Sequence, residues 1–238
     1  MKLAALRKFL LHTGLFLAGL VIGALLFAPW DQLWTRALVL AAGRLPVSMS
    51  WRQVDGASAT SVRVKGLAFA TPKGMVEFSE ARLSLGLSPL VRLSLRTGSQ
   101  VFDVSASLGG DVRLGGGVDV GALLPGRNMD GGLSLSGALH FDTWKRPPSS
   151  GTLAASASTL VLPNAMRVEQ MQLAADLKGS DLTLRSFTLD KPVPMEAAGT
   201  VALNFRRLAD SEVNVTGTAK VGPTGTKFKK QGTLGSLL

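Results

Sequence analysis

The sequence predicts a mainly β protein, in which an N-terminal single transmembrane helix is followed by a curved antiparallel β-sheet of many short strands, an open groove or a sandwich. Three observations carry this expectation. Phe9 to Ala28 is a run without Asp, Glu, Lys or Arg. From Val47 onward, apolar residues recur at every second position between Gly-rich turn signals. The chain holds 27 Gly but no Cys and no Tyr, a composition of repeated light strands that excludes a disulfide scaffold and thiolate metal sites.

Residues 1–8 read as a cytoplasmic stub and residues 9–28 as the membrane helix, since about 20 helical residues span the roughly 30 Å of a bilayer's hydrocarbon. A secretory signal peptide has a shorter apolar core, of about 7 to 15 residues, and a small-residue cleavage site. Here Ala28 follows bulky Leu26 and Phe27 and precedes Pro29. Lys2, Arg7 and Lys8 orient the segment with its start in the cytoplasm, and Trp30 and Trp34 fall where an interfacial aromatic belt anchors a helix. Gly19 and Gly23 form a G-x-x-x-G pair, a candidate helix-packing face.

Residues 29–44 read as a juxtamembrane helix. Pro29 and Asp31 supply start signals, Leu33, Trp34, Ala37, Leu38 and Ala41 recur at helical spacing, and Gly43 supplies a stop. Residues 45–220 then form a β-rich domain. Its alternating sets include Val62 and Val64, Val76 and Phe78, Phe102 and Val104, Leu133 and Leu135, Leu153 and Ala155, Leu173 and Ala175, Leu182 and Leu184, Phe187 and Leu189, and Val213 and Val215.

Thr97-Gly98, Gly109-Gly110, Gly115-Gly116-Gly117, Asp130-Gly131-Gly132 and Gly179-Ser180-Asp181 read as the turns between strands. Thr143 to Ser150, with Lys145, Arg146, Pro147 and Pro148, is a candidate boundary between two sheets. Residues 221–238 read as a basic C-terminal tail, in which Lys227, Lys229 and Lys230 follow Lys220.

Each alternating strand leaves one apolar face to bury or to display as a groove. Leu83, Leu85, Leu87, Val91, Leu93 and Leu95 are the candidate groove residues. The net charge of +10 falls to +7 once Lys2, Arg7 and Lys8 are set aside, so the body itself is basic. That charge suits an anionic membrane surface or an acidic protein. Nucleic acid is a poor partner for an exported body.

Enzyme chemistry and cofactors are not expected. The chain has two histidines, and the carboxylates are scattered, with Glu77 and Glu80 on opposite faces of a continuous strand. His140, between Leu139 and Phe141, reads as solvent-facing. No zinc-protease, phosphate-loop or nucleophile-elbow motif occurs.

Several stretches together resemble the N component of the bacterial type II secretion system (GspN), with the character of AsmA-like envelope proteins. They are the stub and anchor; Gly66-Leu67 followed by Thr71-Pro72-Lys73-Gly74; Ala81 to Leu87 leading into Ser88-Pro89-Leu90; and Val118-Asp119-Val120-Gly121-Ala122-Leu123. Gly132 to Gly137, Leu182 to Leu189, Gly199-Thr200-Val201-Ala202-Leu203 and Ser211 to Gly217 are of the same kind. The resemblance implies a single-pass bacterial inner-membrane protein with its bulk in the periplasm. It implies a non-catalytic part of the type II secretion machinery, whose partners are membrane lipid and other secretion proteins. The AsmA-like side of the resemblance implies instead a groove that binds or carries phospholipid.

Overall fold

A computed structural model describes residues 23, 28–43, 48–71, 74–123, 128–144, 146–205, 207–221 and 224–237. The expected membrane helix, residues 9–28, and its Gly19 lie outside these, apart from Gly23 and Ala28. Among the described residues no helix is long and apolar enough to cross a membrane.

Helix α1, Trp30–Ala42, forms where the juxtamembrane helix is expected, with Asp31 in its first turn and Gly43 closing it through a bond from its N–H to Val39 O. Its Trp34 Nε1 donates to Ser58 O at 2.7 Å, and Trp34 and Leu38 pack on the sheet. The aromatic expected to anchor the chain at an interface thus docks the helix.

Fourteen strands form a single antiparallel sheet. In chain order they are β1 Ser48–Ser50, β2 Gln53–Asp55, β3 Ser61–Thr71, β4 Gly74–Leu85, β5 Val91–Thr97, β6 Gln100–Ala106 and β7 Asp111–Asp119. After a short helix α2, Val120–Leu123, come β8 Gly132–His140, β9 Ser150–Val161, β10 Arg167–Lys178, β11 Asp181–Leu189, β12 Met195–Ala202, β13 Glu212–Val221 and β14 Thr224–Thr233. A short helix α3, Leu234–Leu237, ends the described chain. From β3 to β14 every strand pairs with the next in sequence, while β1 and β2 both pair with β3. The architecture is an open meander with β1 and β2 at one edge and β14 at the other.

Four details differ from the sequence reading. Gly115 to Gly117 lie inside β7 and not in a turn, because Gly116 sits directly between Phe102 and Leu135, where a Cβ would come within 3.0 Å of Phe102 Cα. The alternating sets on either side of Ser79 belong to one 12-residue strand, β4. No sheet boundary falls at Thr143 to Ser150, since β8 and β9 pair continuously from Ser134↔Ser156 to His140↔Ser150. The basic C-terminal segment forms strand β14, held by a ladder from Glu212↔Thr233 to Val221↔Thr224.

Buried residues gather in two clusters. Val62, Val64, Leu67, Phe78 and Ala81 form one, beneath Trp34, Leu38, Met49, Trp51 and Val54. A positive φ at Gly66 breaks the alternation of β3, so Val64 and Leu67 reach the same cluster. Val120, Ala157, Leu160 and Val168 form the other, with Met129, Leu162 and Met171 against it.

Candidate functional site: an apolar face across the sheet

Strand register decides which residues stand side by side, and here it lines up apolar residues across the whole meander. One row runs Val62, Leu83, Leu93, Val104, Leu114, Gly137, Leu153, Ala175, Leu184, Gly199, Val215. A second runs Val64, Ala81, Leu95, Phe102, Gly116, Leu135, Ala155, Leu173, Phe187, Ala197, Gly217, Phe228. A third begins at Leu85 and Val91 and continues through Ala106, Val112, Leu139, Gly151, Leu177, Leu182 and Val201 to Val213.

The rows are two residues apart along each strand, except in β11, where an extra residue lies between Leu184 and Phe187, so all three lie on one face. The opposite face is polar: Ser134, Ser136, Thr152, Ser156, Thr183, Thr200 and Asn214 are exposed there.

Small residues occur within each row beside large ones. A Cβ on Gly137 would stand 2.8 Å from Leu153 Cδ2 and 3.2 Å from Leu114 Cδ1, so the two leucines already close over the glycine. At Gly151 the same place is taken by Leu139 Cδ2, 2.6 Å from the Cβ position. The rows thereby present a nearly continuous hydrocarbon surface in place of isolated side chains.

The face is covered only in part. At its β3–β4 end α1 and β2 lie over the first buried cluster. Across the middle, Leu93, Val104, Leu114, Leu135, Leu153, Leu173, Leu184 and Val215 remain half-buried. At roughly 25 cal/mol per Å² of apolar surface removed from water, such a face gains free energy when something covers it.

Of the candidate groove residues, Leu83 and Leu93 face each other across β4 and β5, Leu85 faces Val91, and Leu95 faces Ala81, all on the apolar face. Leu87 is in the β4–β5 connection and is 97% exposed, apart from that face. Trp30 begins α1 and Trp34 docks it. Gly23 has no atom within 4 Å of a Cβ position.

Lys220 lies in β13, and Lys227, Lys229 and Lys230 lie in β14. Lys230 pairs with Val215, so it ends the first apolar row with a charge, while Lys227 and Lys229 alternate onto the polar face. Inward-pointing and flanking lysines on a terminal strand discourage edge-to-edge pairing, as does the brevity of β1 and β2 at the other edge.

Acid–base groups are engaged in local pairs on the polar side. His140 Nδ1 is hydrogen-bonded with Asp111 Oδ1 at 2.8 Å, directly across β7 and β8. Glu77 accepts from Arg52 at 2.7 Å, and Glu80 is 3.3 Å from Arg63. Lys65 beside Asp55 holds that carboxyl below its ordinary range, and Lys191 does the same for Glu169. Among the described residues no three carboxylate or imidazole groups converge as a metal site.

The aligned rows were not visible in the sequence, because alternation assigns a residue to a face but not to a neighbour across the strand. No family model, curated protein or solved structure matches the chain.

Proposed function

We propose that the chain is a non-catalytic, inner-membrane-anchored periplasmic component of the bacterial type II secretion machinery. The segment before α1 tethers it, and the sheet's apolar face docks another component. The observation that supports this most is the run of three apolar rows across a one-layer sheet, half-exposed through the middle strands. A stable monomer rarely leaves so much contiguous hydrocarbon in water without a partner.

Deletion of the gene is expected to reduce export of type II substrates into the medium, and the detergent-extracted protein is expected to copurify with inner-membrane secretion components. Unchanged export together with purification free of those components would overturn the proposal.

A second reading, phospholipid binding in an AsmA-like groove, is favoured by one feature. The middle rows consist of Leu, Val, Ala and Gly with no charged group among them, a hydrocarbon surface that suits flexible acyl chains. It predicts phospholipid in organic extracts of the purified full chain, lost in Leu93→Asp. Lipid-free protein that still supports secretion would eliminate this reading and leave the first.

A further inference from the structure

The polar face carries its own cluster, at the end of the sheet where β3, β4 and β5 lie side by side. Arg63 and Arg82 are directly opposite each other in register. Ser94 is the partner of Arg82 on the other side, so Arg92 and Arg96, two residues to either side of Ser94, are diagonal neighbours of Arg82. Such diagonal pairs lie about 7–8 Å apart at the backbone, within reach of one another's long side chains. Like charges placed directly opposite destabilise a sheet, and nothing in the packing of this exposed face demands them.

The compensation present is incomplete. Glu80 pairs with Arg63, and Asp103 accepts a hydrogen bond from Ser94. Arg82, Arg92 and Arg96 form no ion pair among the described residues. Arg63 Nε is shielded from solvent and makes no hydrogen bond, its approach to Glu80 lacking the geometry for one. Two adjacent clefts of about 430 and 340 Å³ open here and share Arg63, Arg82 and Ser94 in their walls; Arg92 lines the first and Arg96 the second.

We infer that this arginine cluster binds a phosphate-class oxyanion. Guanidinium groups present planar, always-charged pairs of donors that match phosphate oxygens, and several converging on one anion turn mutual repulsion into shared attraction. Ser84 adds a hydroxyl on the same face beside Arg92, while Ser94, beside Arg82, already donates its proton to Asp103. The anion belongs either to a lipid headgroup or to free phosphate, since the donors recognise the same group in both. The site lies on the face opposite the apolar rows and is independent of what covers them.

The test is thermal unfolding of the full chain in uncharged detergent at fixed ionic strength, with inorganic phosphate, dioctanoyl-phosphatidylglycerol or dioctanoyl-phosphatidylcholine added. At ten times the dissociation constant the expected rise in Tm is about 3–6 °C. A rise with phosphate identifies the free ion as sufficient; a rise with phosphatidylglycerol alone identifies the headgroup. The double variant Arg82→Ser/Arg92→Ser is expected to lose the rise while its own Tm is unchanged or higher, because repulsion is relieved. Lys229→Gln is expected to retain the rise. Equal rises with phosphatidylcholine and phosphatidylglycerol, no rise with either phosphate or phosphatidylglycerol, or a rise that survives the double variant would each overturn the inference.

Discussion

Leu184 and Phe187 of β11 stand in adjacent apolar rows although they are three positions apart, an offset that puts residues on opposite faces of a regular strand. Ala175 pairs with Leu184 and Ala174 with Ser186, so Arg185 is the extra residue of a bulge that turns the second half of the strand over. Arg185 Nη2 donates to Asp176 Oδ1 at 2.6 Å, fixing the bulged residue on the polar face.

Deleting Arg185 is therefore expected to be far worse than truncating it. Arg185→Ala loses an exposed ion pair and should cost about 0.2–1 kcal/mol. Deletion forces either Phe187 and Leu189 or Leu182 and Leu184 onto the polar face, and should cost several kcal/mol. Urea unfolding of the two variants checks the contrast; equal midpoints would show that the bulge has no role in register.

Glycines of the sheet differ in what a methyl group would meet. At Gly199 a Cβ would stand 2.7 Å from Val215 Cα, backbone that cannot swing away, whereas at Gly225 nothing lies within 4 Å. Gly199→Ala is expected to destabilise by about 1–3 kcal/mol and Gly225→Ala by almost nothing. Denaturant midpoints for the pair test this.

Alternation and turn chemistry were legible in the sequence where they are local. Gly98-Ser99, just after Thr97, and Gly179-Ser180 form two-residue hairpin loops, with Gly98 and Gly179 at positive φ, because left-handed backbone there selects glycine. Within Gly115 to Gly117, Gly116 is glycine because the backbone of Val101 and Phe102 comes close, and Gly117 because Gln100 does, so the run imitates a turn. The lysines of β14 imitate a solvated tail because a terminal strand needs polar residues on an open edge. The arginine cluster was hidden altogether, since Arg63, Arg82, Arg92 and Arg96 become neighbours only through the pairing of three strands.

Helix α1 is held to the sheet by few contacts, with Trp34 prominent among them. Trp34→Phe removes the bond to Ser58 O and should cost about 1 kcal/mol, while Trp34→Ala also leaves a void against the first cluster and should cost about 3–5 kcal/mol. Hydrogen exchange over residues 30–43 is expected to accelerate in Trp34→Ala ahead of global unfolding. Unchanged protection would show that the helix docks by other means.

Acid stability carries a signature of two pairs. Asp55 and Glu169 titrate below their ordinary values of 3.8 and 4.5, because Lys65 and Lys191 favour the charged forms. A carboxyl depressed in the folded state stabilises fully above its unfolded value, and that stabilisation disappears as pH falls through the folded one. Glu169→Gln should flatten the fall in stability below about pH 4.5 while leaving its slope at neutral pH unchanged. An unaltered acid limb would count against the Lys191 pair. The effect is small, since both groups are exposed to solvent and screening.

The apolar face as a docking surface is tested most directly by complementing a deletion strain and measuring type II substrate export into the medium. Wild-type protein and the polar-face variant Thr183→Asp are expected to restore export. Leu184→Asp, in the first row and directly beside Thr183 along the strand, is expected to fail although it accumulates and resists proteolysis like wild type. Full export with folded Leu184→Asp, or normal export in the deletion strain itself, would contradict the account.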